Sequence, residues 1–192
     1  MSDKSVIDKK IQNEPANKKI DTSWKSRLRM APPKPFSIVL VNPEIPQNTG
    51  NIARLCAATG AHLHLVGKIG FSLDEKAVRR AGLDYWYLVN VSTHDTLDEC
   101  LETTDGGDPF IFSSKASKPY TEAPFKKGSI LVFGAESVGL PEEIPLRYPD
   151  RVYGIPTISK TVRSLNLANS VAITLYKGLE ETGAFNECLL IP

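Results

Sequence analysis

From Phe36 onward the chain alternates between short apolar runs and amphipathic segments, and this alternation limits its possible folds more than any other feature. FSIVLV (Phe36 to Val41) is an apolar run with the length and character of a buried strand. NTGNIARLCAATG (Asn48 to Gly60) follows, with Ile52, Leu55, Cys56 and Thr59 at helical spacing and Gly60 as the stop. HLHLV (His62 to Val66) alternates as a strand. EKAVRRAG (Glu75 to Gly82) reads as a short helix and WYLVNV (Trp86 to Val91) as a strand. DTLDECLE (Asp95 to Glu102) is helical, with His94 expected as its cap. PFIFSS (Pro109 to Ser114), SILVFGA (Ser129 to Ala135) and RVYGIP (Arg151 to Pro156) complete the strands. SLNLANSVAITLYKGLEETG (Ser164 to Gly183) is a long closing helix, with Leu167, Ala168, Val171, Ala172, Leu175 and Leu179 on one stripe. Strands and helices alternating through short loops predict an α/β fold, a mostly parallel sheet with helices on both faces. Ligands of such sheets sit beyond the carboxyl ends of the strands.

The first 35 residues differ in kind. They lack periodicity, are rich in Lys, Asn, Ser and Pro, and end in APPKP (Ala31 to Pro35). This reads as a flexible arm (1–35) ahead of one folded domain (36–192). The arm holds nine Lys or Arg against four Asp or Glu, whereas the rest holds 14 against 18. A basic arm on a mildly acidic body suits contact with nucleic acid, and equally a solvated extension. No run approaches the roughly 20 apolar residues of a membrane helix. The polar start MSDKSVIDKK has no apolar core of a secretory signal. Cys56, Cys100 and Cys188 match no metal or disulfide spacing, so they read as free thiols in a reducing cytoplasm.

Three loops carry residues that a buried strand does not need. The first, NPEIPQNTGNIAR (Asn42 to Arg54), has two prolines and a glycine, with Asn48 and Arg54 six residues apart. The second, FGAESVGLPEEI (Phe133 to Ile144), sets Glu136 between Gly134 and Gly139, with Pro141 placed to start a helix. The third, IPTISKTVRSLNLANS (Ile155 to Ser170), brings Arg163, Ser164, Asn166 and Asn169 to the start of the last helix. Neither GxxxxGK[ST] nor GxGxxG after the first strand is present. The pocket therefore suits a ligand held by main-chain amides and carbonyls, such as an adenosyl group, better than a polyphosphate.

In these three segments the chain resembles the SPOUT class of RNA methyltransferases, and within it the TrmL/YibK-like tRNA 2′-O-methyltransferases. NPEIPQNTGNIARLCAATGAHLHLVGKIGF, continued by RRAGLDYW, resembles the first motif of that family; FGAESVGLP and VRSLNLANSVAI resemble its second and third. The resemblance spans roughly residues 36–185. It implies a C-terminal deep trefoil knot, an exception to the rule that chains do not thread loops. It also implies a homodimer, with S-adenosylmethionine as methyl donor and tRNA as substrate. The donor pocket is expected at Phe112, Ser113, Gly134, Ile155, Ser164 and Leu165.

The implied reaction is 2′-O-methylation of the ribose at the wobble nucleotide of the anticodon loop. It needs alignment of two atoms and loss of a proton from a poor nucleophile. By resemblance Arg54 is the central catalytic residue. A guanidinium stays protonated, so holding a phosphate and stabilising a developing alkoxide suits it better than acting as base. Asn48 is expected to position Arg54 or the ribose, and Glu136 to accept hydrogen bonds from Arg54 or substrate. Ser164 and Asn166 are expected to orient the acceptor and the methionine moiety. Loop or helix capping is the plainer role open to Asn48 and Asn166, and a surface ion pair to Arg54 and Glu136. His62 and His64 share a strand face, but no third ligand stands nearby in the sequence, and no metal is expected. Val138 stands where relatives often carry a polar or basic residue, which bears on a substrate contact.

The alternatives are the same chemistry at another tRNA or rRNA site, a knotted RNA-binding module without catalysis, and a nucleotide-dependent oxidoreductase. The missing glycine fingerprint disfavours the last. Deleting residues 1–30 should weaken tRNA binding and flatten its dependence on salt, because lost phosphate contacts release fewer counterions. Binding measured across a salt series checks this, and an unchanged slope contradicts it.

Overall fold

The protein is described here from a computed structural model, covering residues 35–72, 89–104, 107–159 and 161–187. Nearly all of the N-terminal arm, the expected helix at 75–82 and Cys188 lie outside the described residues.

Among the described residues seven strands form one sheet: β1 (Ser37–Val41), β2 (His62–Val66), β3 (Val91–His94), β4 (Phe110–Phe112), β5 (Lys118–Pro119), β6 (Ile130–Phe133) and β7 (Val152–Gly154). Their order is β3-β2-β1-β6-β4-β7-β5, and every pairing is parallel. Helices α1 (Pro46–Thr59), α2 (Leu97–Glu102), α3 (Glu143–Arg147) and α4 (Leu167–Glu181) accompany it. The expected parallel α/β architecture is therefore present.

The side-chain alternation of each strand divides the core into two layers. Ile38, Leu40, Leu63, Leu65, Leu131 and Phe133 share one cluster with Ile52 and Cys56 of α1 and Val171, Leu175 and Leu179 of α4. Val39, Val41, Val66, Ile130 and Val132 share the other with Cys100 of α2 and Ile144 of α3. This is why β1 reads as a continuous apolar run, since all five of its residues are buried. Burial pushes the Cys56 and Cys100 thiols up to about 12, so both are neutral near pH 7.

Several boundaries differ from expectation. Of the strand expected at 86–91, residues 86–88 lie outside the described residues; among those described the strand is Val91–His94, paired with β2 from Leu63↔Val91 to Val66↔His94. As an edge strand it tolerates the polar sequence VSTH, which hid it from an apolarity reading. His94 ends this strand and does not cap α2; the Thr96 hydroxyl accepts from the Glu99 amide at 3.2 Å. Helix α1 starts at Pro46, whose fixed φ suits the first helical turn, and ends at Gly60 with φ 72°. Pro141 precedes α3 without starting it, and its carbonyl accepts from the Ile144 amide. The short strand β5 has no apolar signature in the sequence.

His64 lies in the core with its Nδ1 3.0 Å from Nε2 of His94. Burial, followed by the electrostatic influence of His94 and His62, pushes its pKa down from 6.5 to about 4. The unfolded chain therefore takes up this proton first, and the neutral ring's contribution to stability disappears as pH falls from about 6.5 toward 4. Thermal unfolding across that interval should show a steeper fall for the natural protein than for His64→Gln. Parallel profiles would contradict the assignment.

Candidate active site

The carboxyl end of β1 leads into a loop whose amides are held from outside. Helix α1 has no side-chain cap of its own and no acidic residue in its first turn. The Glu136 carboxylate, projecting from the loop after β6, sits instead against the two residues just ahead of the helix, Glu44 and Ile45. Its Oε2 accepts from the Glu44 amide at 2.9 Å, and its Oε1 accepts from the Ile45 amide at 3.3 Å and from Asn48 Nδ2 at 2.9 Å. A carboxylate at the positive end of a helix is favoured by both hydrogen bonding and the helix dipole.

The contact is returned. Glu44 reaches back to the second loop, where its Oε2 accepts from the Ser137 amide at 3.0 Å and its Oε1 from the Ser137 hydroxyl at 2.7 Å. The third loop joins through Asn48, whose Oδ1 accepts from Asn166 Nδ2 at 2.9 Å. The Asn166 Oδ1 in turn accepts from the amides of Ala168 and Asn169 and so caps α4. Asn166 thus has both roles open to it, a helix cap and a link to another loop. Asn48 is the second residue after Pro46, inside α1, and is no cap.

The second loop is tight. Ala135 and Gly139 exchange main-chain hydrogen bonds at 3.1 and 2.9 Å. A Cβ on Gly134 would lie 2.2 Å from the main chain at Gly139 and Leu140, so only glycine fits.

Four of the six residues expected to hold the donor, Phe112, Ser113, Gly134 and Ile155, fall at three neighbouring strand ends. Ile111 is registered with Val132 of β6, and Phe112 with Tyr153 of β7. Phe112 stacks on Phe133 with ring centroids 4.9 Å apart, and the Ser113 amide donates to the Tyr153 carbonyl at 3.0 Å. Ser113, Gly134 and Ile155 therefore leave adjacent strands β4, β6 and β7 on the same side. Ser164 is exposed and Leu165 half-buried, two residues and one residue before the cap Asn166. Arg54 is exposed on α1, about 120° around the helix from Asn48 at 100° per residue. Glu44 and Ser137 were missed in the sequence. A carboxylate between two prolines and a serine after a glutamate carry no local sign that they meet across 93 positions.

Two other features lie away from this network. Ligand atoms of His64, His94 and Cys100 lie within 4.8 Å of one another, so the structure brings together the third group that the sequence did not place near His64. The two rings already bond to each other, and the thiol beside them is neutral. A cleft of about 430 Å³ opens at the carboxyl ends of β1 and β2, lined by Asn42, Asp95, Asp98, Glu143, Arg147 and Tyr148 among others. Asp98 pairs with Arg147, leaving the other carboxylates to give the lining an acidic character unsuited to RNA phosphate.

The arrangement compares directly with known proteins. A model of the SpoU rRNA Methylase family matches residues 35–176. A tRNA (cytidine(34)-2′-O)-methyltransferase of Methylovorus glucosotrophus is 46% identical over 143 residues, covering 74% of this chain and 92% of that protein. Its counterpart of the same name in Burkholderia cenocepacia is 42% identical over 150 residues, covering 77% and 96%. A structure solved in work on 2-OH methylation of C/U34 on tRNA superposes with a TM-score of 0.70 at 42% identity, covering 78% of this chain and 97% of that one. On this match, over most of its length, the chain belongs to the SpoU rRNA Methylase family.

Proposed function

We propose that this protein transfers a methyl group from S-adenosylmethionine to the ribose 2′-hydroxyl of nucleotide 34, the wobble position, of tRNA. One observation carries the reading. The three loops that resemble the methyltransferase motifs are joined by the Glu136–Asn48–Asn166 hydrogen-bond chain in a protein over 40% identical to enzymes named for this reaction.

The strand ends fit an adenosyl donor. Ser113, Gly134 and Ile155 offer main-chain groups side by side, and the aromatic pair Phe112–Phe133 closes the floor beneath them. When bound, S-adenosylmethionine supplies an electrophilic methyl on a sulfonium. Ser164 and Leu165, tethered by Asn166, complete the pocket. Asn48, Glu136 and Asn166 hold the loops at fixed separation, and Arg54 holds a substrate phosphate and stabilises the negative charge that grows on the 2′-oxygen. Val138, at 79% exposure on the tip of the second loop, brings no charge to the RNA.

The finer features belong to the same proposal. In sequence order the chain lays β6 between β1 and β4 and sets β7 beyond β4, and α4 then returns to pack with α1 in the same core cluster. Such crossing connections support a C-terminal trefoil knot. A homodimer, a cytoplasmic location and an RNA-binding role for the basic arm 1–35 complete the reading. The runner-up is the same transfer at another tRNA or rRNA site, since the matching family model is described by rRNA.

Incubation with S-adenosylmethionine and unmodified tRNA, then nuclease digestion and mass spectrometry, tests the proposal. A 2′-O-methyl at nucleotide 34 is expected, reduced about 100-fold or more in Arg54→Ala, the size of a lost transition-state contact. Methylation only at other positions or only of rRNA would overturn the site, and S-adenosylhomocysteine binding without methyl transfer to any RNA would overturn the reaction.

A further inference from the structure

Resting on the methyl-transfer reading above, we propose that Glu44 is a positioning residue for the reaction, acting through Ser137 to aim the carboxylate of Glu136. Glu44 is exposed, yet both of its oxygens are engaged with one residue 93 positions away. A solvated glutamate gains little by holding one rotamer, and ordering it costs side-chain conformational entropy. Its fixed geometry therefore needs a return, and charge-assisted bonds to an amide and a hydroxyl provide one.

The return reaches the site because the contact is reciprocal. Glu136 and Ser137 are consecutive, as are Glu44 and Ile45. Each loop thus offers a carboxylate to the main chain of the other, through the amides of Glu44, Ile45 and Ser137, and the Ser137 hydroxyl adds a fourth bond. The fifth, from Asn48 to Glu136, leads on to Asn166 and the cap of α4. The turn carrying Glu136 is closed by the Ala135–Gly139 pair, and on the far side of Glu136 it is Glu44 that holds Ser137. Without Glu44 the turn can rotate about Ser137, and the Glu136 oxygens lose their aim at the amide of Ile45 and at Asn48. The first loop leads directly into α1, so the position of Arg54 follows.

The hydrogen bonds of the Glu44 side chain go to Ser137, while its contact with Glu136 is through the main-chain amide, which a substitution at 44 leaves in place. Loss of the side chain should therefore lower kcat and leave KM nearly unchanged. Glu44→Ala should reduce kcat about 10- to 100-fold, the usual result of displacing a reacting group by about an ångström. KM for tRNA and for S-adenosylmethionine should stay within about threefold. Glu44→Gln keeps one acceptor oxygen and should recover part of the rate. Ser137→Ala should add little to the loss in Glu44→Ala, because both remove one contact. Hydrogen exchange gives a readout independent of RNA: in Glu44→Ala the amides of Ser137 and Ile45 should lose protection together.

Full kcat in Glu44→Ala, or a rise in KM alone, would overturn the proposal. So would Ile45 protection that survives the loss of Ser137 protection. Failure of the functional reading is distinguishable, because it shows as a natural protein without methyl transfer, whereas failure here shows as an active enzyme indifferent to Glu44.

Discussion

The two amides just ahead of helix α1, those of Glu44 and Ile45, donate to the Glu136 carboxylate 92 and 91 positions away. The other features of the site follow from that bond. It sets the first loop against the second, it holds Asn48 so that its carbonyl faces Asn166, and Asn166 then starts α4 at a defined place. A hydrogen bond to a charged group is worth about 1.5–3 kcal/mol in stability. Its larger effect here is geometric, since one carboxylate fixes the relative positions of three segments that leave or approach different strands.

The sheet makes this possible. All seven strands run in the same direction, so every strand releases its loop at one edge. Because β6 lies between β1 and β4, the loop after β6 reaches the β1 loop on one side and the strand end at Phe112 and Ser113 on the other. Gly134 opens that loop where a side chain would strike the main chain at Gly139. Polar loops of this kind gain their order from hydrogen bonds to one another, above a core whose two layers are closed by α1 and α4 on one face and α2 and α3 on the other.

Much of this was legible in the sequence, for identifiable reasons. Strands β1, β4 and β6 are apolar runs because they are buried, β2 shows as an alternating one, and α4 carries a clear stripe. The described strand Val91–His94 has the polar sequence VSTH, which an apolarity reading does not pick out, and β5 is too short for any period to show. The three polar loops were identifiable as segments, and Asn48, Glu136 and Asn166 were singled out within them. Their partners were not readable. Which amide a carboxylate accepts from depends on strand order, and nothing local in PEIP or AESV indicates that Glu44 and Ser137 meet. The same limit applies to His64, whose neighbours His94 and Cys100 arrive from a separate strand and helix.

A crystal structure of the protein with S-adenosylhomocysteine tests the central claim most directly, since it asks where the interlocked loops place the donor. The account predicts the adenosyl group at the ends of β4, β6 and β7, against the main chain of Ser113, Gly134 and Ile155, with Asn166 still bonded to Asn48. Binding instead in the acidic cleft beside Asn42 and Arg147, at the ends of β1 and β2, would contradict it.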